Sequence, residues 1–366
     1  MQRIPSLDGL RAISILMVLY GHLISTRGFP LIHRGFGLAE SGVRVFFIIS
    51  GFLITNLLLR ELDSSGRISL LGFYRRRILR IFPAFYTYWL VISLLAVCGL
   101  LAVPKKDLLY ACTYTINYVA GRSWHVGHLW SLAVEEQFYA LWPLLLVLLG
   151  PRGAFWVAGA VLVLVPPIRI AQFHLIPSHR LGITTEFHTI ADCIATGCLL
   201  AGLRQWLWNQ ERYRTFLSSW QFWFAPMLVI LASRISVHPQ VKWLIAIPLF
   251  NLSMALCIDR WTRFPKLDPV ALFLNWKPIA FVGTLSYSLY LWQQLFLDPQ
   301  GSHFWTYFPL NILCVFLLAL SSYYFIEKPF LAMRYSAHTR RRTEVQPPAP
   351  LAHATADPSP ELPTME

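Results

Sequence analysis

Charge is scarce in this sequence. Only 13% of its residues are Asp, Glu, Lys or Arg, about half of the roughly 25% that a soluble domain carries. Acidic residues are scarcer still, 18 against 31 Lys and Arg, which leaves a formal net charge of +13. The basic excess forms no single patch. It falls between apolar runs, a distribution that argues against nucleic acid as a partner and for membrane topology. No Cys-x-x-Cys pair occurs, and the six cysteines lie mostly inside apolar runs, so neither a disulfide framework nor a zinc site is expected. A Gly-x-Ser-x-Gly elbow is missing as well, which removes the strand-turn-helix nucleophile of a serine hydrolase. No internal repeat and no second globular domain are evident.

What is present is apolar length. The chain is 56% hydrophobic, with a mean hydropathy of +0.51. Runs long enough to cross a bilayer are expected at roughly 10–26, 42–60, 81–103, 127–149, 154–172, 189–207, 220–236, 242–258, 278–297 and 304–326. The expected fold is all-α, a polytopic transmembrane bundle of about ten spans over residues 1–336. Prolines such as Pro143, Pro166, Pro167, Pro226 and Pro248 predict kinks within it. The first run lacks a small-residue cleavage site and reads as a retained span. With a cytoplasmic N-terminus, 21 of the 31 Lys and Arg fall inside and 10 outside, as the positive-inside rule requires. Both termini are then cytoplasmic. Residues 337–366, rich in Pro, Ala, Thr and Ser behind Arg340-Arg341-Arg342, read as a disordered cytoplasmic tail.

Within the first span, residues 6–25 (SLDGLRAISILMVLYGHLIS), Arg11 and His22 stand eleven positions apart. Three helical turns separate them with an offset of only about 20°, so they share one stripe at an axial distance of about 16 Å. Val18 lies between them on that stripe.

Several stretches together resemble the acyltransferase family 3 membrane proteins. These are IPSLDGLRAISILMVLYGHL (4–23), GVRVFFIISGFLIT (42–55), YRRRILRIFP (74–83), HLWSLAVEEQFYALWP (128–143), LSYSLYLW (285–292) and Glu327-Lys328-Pro329, in that order. The fourth is the most specific. Two positions depart from the family's usual pattern: Ile190 stands where an arginine often precedes Asp192, and Arg44 follows Gly42-Val43 where an aspartate is frequent. The resemblance implies O-acylation of surface glycans or related acceptors, in a bacterial inner membrane, with acyl-CoA as donor. Some relatives carry a fused SGNH-type domain; none is expected here.

The residues support named roles beside structural alternatives. His22 suits a general base on an acceptor hydroxyl or a transient acyl acceptor, against a histidine merely bonded between helices. Arg11 either snorkels to the inner interface or pairs with Asp8 one turn earlier, or it serves donor binding by holding a phosphate or polarising the thioester carbonyl. Arg77 and Arg80, one turn apart at the inner mouth, suit the phosphates of CoA, although an arginine run is also a membrane anchor. Glu135 and Glu136 are costly in a span and are expected to orient His22 or balance a guanidinium. His128, Ser131, Glu135 and Tyr139 share one helix face. Ser131 reads as a packing hydroxyl, and Asp192 as a cap, an ion-pair member or an acceptor contact. The expected function is transfer of an acyl group, acetyl in the simplest case, from acyl-CoA to a hydroxyl of a surface glycan or lipid-linked sugar, with no bound cofactor or metal. A solute or glycan-precursor transporter is the alternative, and a catalytically idle scaffold a third reading.

Overall fold

Helix α1 (Pro5–Leu23) opens with proline in its first turn and Asp8 close behind. The ring's missing N–H is not needed there, and the carboxylate meets the positive end of the helix dipole. The structure is a computed structural model that describes residues 4–30, 37–235 and 238–333, and every regular element among them is helical. The expected tail at 337–366, with Arg340-Arg341-Arg342, lies outside the described residues.

Helix α2 (Leu38–Ser65) stops at Gly66, whose φ of 68° lets its N–H close on the Leu62 carbonyl at 2.8 Å. The Ser69 hydroxyl then caps α3 (Leu70–Val97) by accepting from the Gly72 N–H at 3.2 Å. Short helices α4 (Lys105–Cys112) and α5 (Trp124–Gly127) lead into α6 (Leu129–Leu175), which has 47 residues. At 1.5 Å per residue that is about 70 Å, more than twice a hydrocarbon core of about 30 Å. It is not one rod. Gly150, with φ 66° and ψ 172°, breaks it just before Pro151, and the break falls between the two spans expected at 127–149 and 154–172.

The chain continues through α7 (Phe187–Asn209), α8 (Glu211–Ser218), α9 (Phe224–Arg234) and the turn α10 (Pro239–Val241). A π-helical stretch, Lys242–Ala246, runs into α11 (Ile247–Arg263), followed by α12 (Pro269–Leu274), α13 (Lys277–Phe296) and α14 (Leu310–Ser322). A second π-helical stretch, Tyr323–Glu327, extends α14.

Helix α1 is clasped between α2 and α13. Gly42 of α2 lies against the Ser14 carbonyl, and Gly283 of α13 against the Asp8 carbonyl, so closely that a Cβ at either would collide with backbone. Small residues permit such backbone approach where lipid offers no hydrophobic drive for association. Ile15 and Val18 of α1 and Phe47, Ile48 and Phe52 of α2 are almost fully buried in the resulting core. The outer elements are different. The most apolar window of α2 is 72% buried, whereas those of α3, of the α5–α6 stretch and of the α14 stretch are only 28% buried. Leu90, Leu94, Leu148, Trp156, Val163 and Leu317 stand exposed on them, the surface expected to meet lipid.

The all-helical architecture agrees with the sequence; the number of spans differs. Among the described residues five helices are long and apolar enough to cross a membrane, or six if Glu211–Ser218 and Trp220–Arg234, bent by 71°, form one span. The expected ten spans included α1, α7 and α13, which have 19, 23 and 20 residues. Length is therefore not what they lack. They carry Arg11, His22, Asp192, Gln293 and Gln294, polar groups that lower the hydropathy of helices packed inside the bundle. All six cysteines are free thiols, Cys193, Cys198 and Cys257 among them buried.

Candidate active site

Packing α1 between α2 and α13 turns its polar stripe toward α6. The two helices run antiparallel there. The field of Arg11 reaches Glu135, and that of His22 reaches His128.

At the C-terminal end of α1, two consecutive glutamines of α13 each hold an imidazole. His22 Nδ1–H donates to Oε1 of Gln293 at 2.9 Å, and its ring meets Trp124 edge-on at 5.3 Å between centroids. Gln294 Oε1 accepts from the backbone N–H of His128 at 3.1 Å and from its ring Nδ1 at 2.8 Å. His128 Nε2 faces the Leu291 carbonyl at 3.0 Å. Both nitrogens of His128 thus face protein oxygens, and the N–H of one of them is held there. His22 Nε2 has no hydrogen bond among the described residues. Trp124 is fixed in turn, its Nε1–H donating to the Gln294 carbonyl at 2.9 Å.

These groups border a cavity of about 450 Å³. Val18 and His22 form one wall, and Trp124, His128 and Trp130 another, with Glu40, Arg122, Thr184 and Thr185 at other points of the lining. That volume lies within the range of small-molecule sites. Arg11 is not part of the wall. The stripe predicted on α1 therefore faces α6 but serves two environments.

The second environment is ionic. Arg11 pairs with Asp8 at 3.4 Å, as the structural reading expected, and lies in the field of Arg80, Tyr139 and Glu135. Glu135 accepts from the Ser50 hydroxyl at 2.6 Å, and the Tyr139 hydroxyl reaches Ser50 at 3.4 Å. Arg11, Arg80 and Arg77 all act on Glu135. The Arg77 guanidinium lies 5.4 Å from the centroid of the Phe73 ring and 5.3 Å from that of Tyr139, a cation–π sandwich. Glu136 feels Glu135 and Arg77, and its Oε1 is buried without a hydrogen bond among the described residues. Glu327, bonded by Ser288, adds a third carboxylate within the field of Arg80.

The predicted residues thus fall into four groups. Arg11, Arg77, Arg80, Glu135, Glu136 and Tyr139 come together. His22 stands apart, held by an amide and not by either glutamate. Asp192 belongs elsewhere: its Oδ1 meets Arg169 Nη2 at 2.5 Å and its Oδ2 accepts from Asn251 at 3.2 Å, all buried between α6, α7 and α11. Arg169 supplies from α6 the guanidinium missing at Ile190, and Arg44 pairs with Glu40 at 2.8 Å. Ser131 shares a 2.6 Å hydrogen bond with the Tyr290 hydroxyl and packs.

Gln293, Gln294, Trp124 and Arg122 escaped the sequence reading. Two adjacent amides inside an apolar span were the available signal, because buried amides there need partners.

A membrane-embedded helical bundle, with an imidazole on the wall of an open cavity and a cationic cluster three turns away along α1, defines a class of membrane protein equipped for group transfer. The sequence profile of one such family, described as an acyltransferase domain, matches residues 4–327; the chain belongs to that acyltransferase family. It is similar to the O-acetyltransferase OatA of Staphylococcus aureus strain NCTC 8325 and of strain MRSA252. Each is 28% identical over 367 residues, an alignment that covers 91% of this chain and 58% of theirs. The chain thus spans little more than half the length of these curated relatives. No solved structure matches it.

Proposed function

We propose that this protein transfers an acyl group, acetyl in the simplest case, from acyl-CoA to a hydroxyl of a surface glycan or lipid-linked sugar, with His22 at the point of transfer. The observation that carries this reading is the 2.9 Å hydrogen bond from His22 Nδ1–H to Gln293, beside a cavity that His22 lines. It leaves Nε2 as the basic nitrogen and aims it at a substrate.

As the acceptor oxygen attacks the thioester carbon, Nε2 takes the hydroxyl proton. The C–S bond then breaks, and the thiolate recovers that proton from the imidazolium, giving the ester and CoA. If Nε2 attacks first, an acyl-imidazole and CoA form, and the acceptor hydroxyl then displaces the imidazole. Arg77 and Arg80 hold the CoA phosphates at the inner mouth. Glu135 and Glu136 balance those cations and keep the donor path from becoming a trap of unpaired positive charge. Arg11 lies along the path from that mouth to His22.

The topology follows the same logic. Taking α1, α7 and α13 as interior spans, both arms of α6 as separate spans and the bent α8–α9 pair as one gives ten crossings, with both termini cytoplasmic and His22 toward the outer face. Support comes from the family, from the O-acetyltransferase relatives and from the bias of Lys and Arg. Mass spectrometry of surface glycans from cells with the wild-type protein or with His22→Ala tests the reading. An acyl mass lost in the variant is expected. An unchanged glycan profile from a strain in which wild-type protein does add that mass would refute it.

A further inference from the structure

The cavity beside His22 holds a guanidinium whose charge the protein leaves unmatched. Arg122 precedes α5, two residues before Trp124. Its Nε–H donates to the Gly127 carbonyl at 3.1 Å, and Nη1 donates to the Val119 carbonyl at 3.1 Å and to the Thr185 hydroxyl at 3.5 Å. Those three bonds lock the plane of the side chain. Both hydrogens of Nη2 are left without a protein acceptor among the described residues, because a guanidinium carries five N–H donors.

No carboxylate forms an ion pair with Arg122 among the described residues. Asp107 acts on it only from beyond ion-pair distance; its Oδ2 accepts from the Ser123 N–H at 2.8 Å, and its Oδ1 is buried without a hydrogen bond among the described residues. Glu40, the carboxylate in the cavity wall, is already matched by two cations, Arg44 at 2.8 Å and Lys242 at 2.9 Å. The wall therefore keeps a positive surplus concentrated on one fixed, half-buried guanidinium. A cation lacking a counter-ion on a cavity wall is stabilised when an anionic ligand supplies one, and a locked fork selects for that anion's geometry. Trp124 and Trp130 border the same space.

Resting on the reading of His22 as the point of transfer, we propose that the acceptor is an anionic glycan. A carboxylate or phosphate on it docks at Nη2 of Arg122 and so presents a separate hydroxyl to His22. Acidic sugars and phosphate-linked sugars share this chemistry, and the two sources are separable by experiment.

The test uses the full-length protein in lipid vesicles with labelled acetyl-CoA. One acceptor pair is a uronate-containing trisaccharide and its neutral methyl ester. A second pair is a polyprenyl-phosphate-linked oligosaccharide and the same oligosaccharide free. Wild-type protein is expected to favour the anionic member of one pair by about tenfold in kcat/KM. Arg122→Gln should abolish that preference by raising the acceptor KM, with the KM for acetyl-CoA unchanged; Arg122→Lys should keep part of it. Ala120→Glu adds a carboxylate to the cavity rim without touching the Arg122 bonds, and should lower the same ratio even if Arg122→Gln misfolds. A preference for the uronate identifies a carboxylate, and one for the polyprenyl phosphate identifies a phosphate. Equal rates on both members of both pairs, a preference that survives Arg122→Gln and Ala120→Glu, or an effect confined to the acetyl-CoA KM each overturns the proposal. Loss of all transfer in His22→Ala beside any of these outcomes would leave the acyltransferase reading intact, whereas transfer retained in His22→Ala would overturn that reading instead.

Discussion

The two ends of the α1 polar stripe solve the problem of buried polarity in different ways. Toward the C-terminal end of α1 the partners are neutral: amides from Gln293 and Gln294 hold His22 and His128, and a cavity opens beside them. Toward its N-terminal end the partners are charged: the fields of Arg11, Arg77 and Arg80 reach Glu135, and that of Arg77 reaches Glu136. An amide orients an imidazole without fixing its charge, so the ring remains free to gain and lose a proton. An arginine cluster keeps its charge at every accessible pH, which suits the retention of phosphates but not proton transfer. The contrast assigns chemistry to one end and donor binding to the other.

Removing a counter-charge from the ionic end should have the largest structural effect. Glu135→Ala removes the carboxylate whose field reaches Arg11, Arg77 and Arg80 and leaves the Ser50 hydroxyl without its acceptor, and is expected to destabilise the protein by about 1–3 kcal/mol, read as a lower unfolding temperature in detergent. Gln293→Leu should instead leave stability nearly intact and lower kcat by about 10–100-fold through loss of one buried, orienting hydrogen bond. Its KM for acetyl-CoA should hold. Equal losses in both parameters would blur the division between the two ends. Arg80→Gln is expected to act in the opposite sense, raising that KM about tenfold with kcat little changed. Ser131→Ala, which removes a hydroxyl already paired with Tyr290, should alter initial rates by less than about threefold; a larger drop would bring Ser131 into the chemistry.

Much of the fold was legible because lipid imposes a simple rule, that long apolar runs become helices. The break at Gly150 was visible as a gap between two runs. The interior helices were harder. α1, α7 and α13 were recognisable by length, yet their polar groups keep them outside a criterion built on hydropathy, so a count of spans from composition and a count from length disagree. His22 and Arg11 were legible because ionisable groups stand out in an apolar segment. Gln293 and Gln294 did not, since amides carry no charge and lie among aromatics in YLWQQLF. The partner of Asp192 could not be read at all. Arg169 lies 23 positions away on another helix, and only the packing of α6 on α7 brings it near. Expecting Glu135 or Glu136 to orient His22 failed for a related reason: spacing within α6 was known, but not the height at which α1 crosses it.

The account rests on His22. Single-turnover transfer of labelled acetyl from acetyl-CoA, followed in vesicles containing wild-type protein or His22→Ala, measures its role most directly. A fall of about 10³-fold in the transfer rate, with acetyl-CoA binding and unfolding temperature unchanged, is the predicted result. Transfer at the wild-type rate by the folded variant would contradict it.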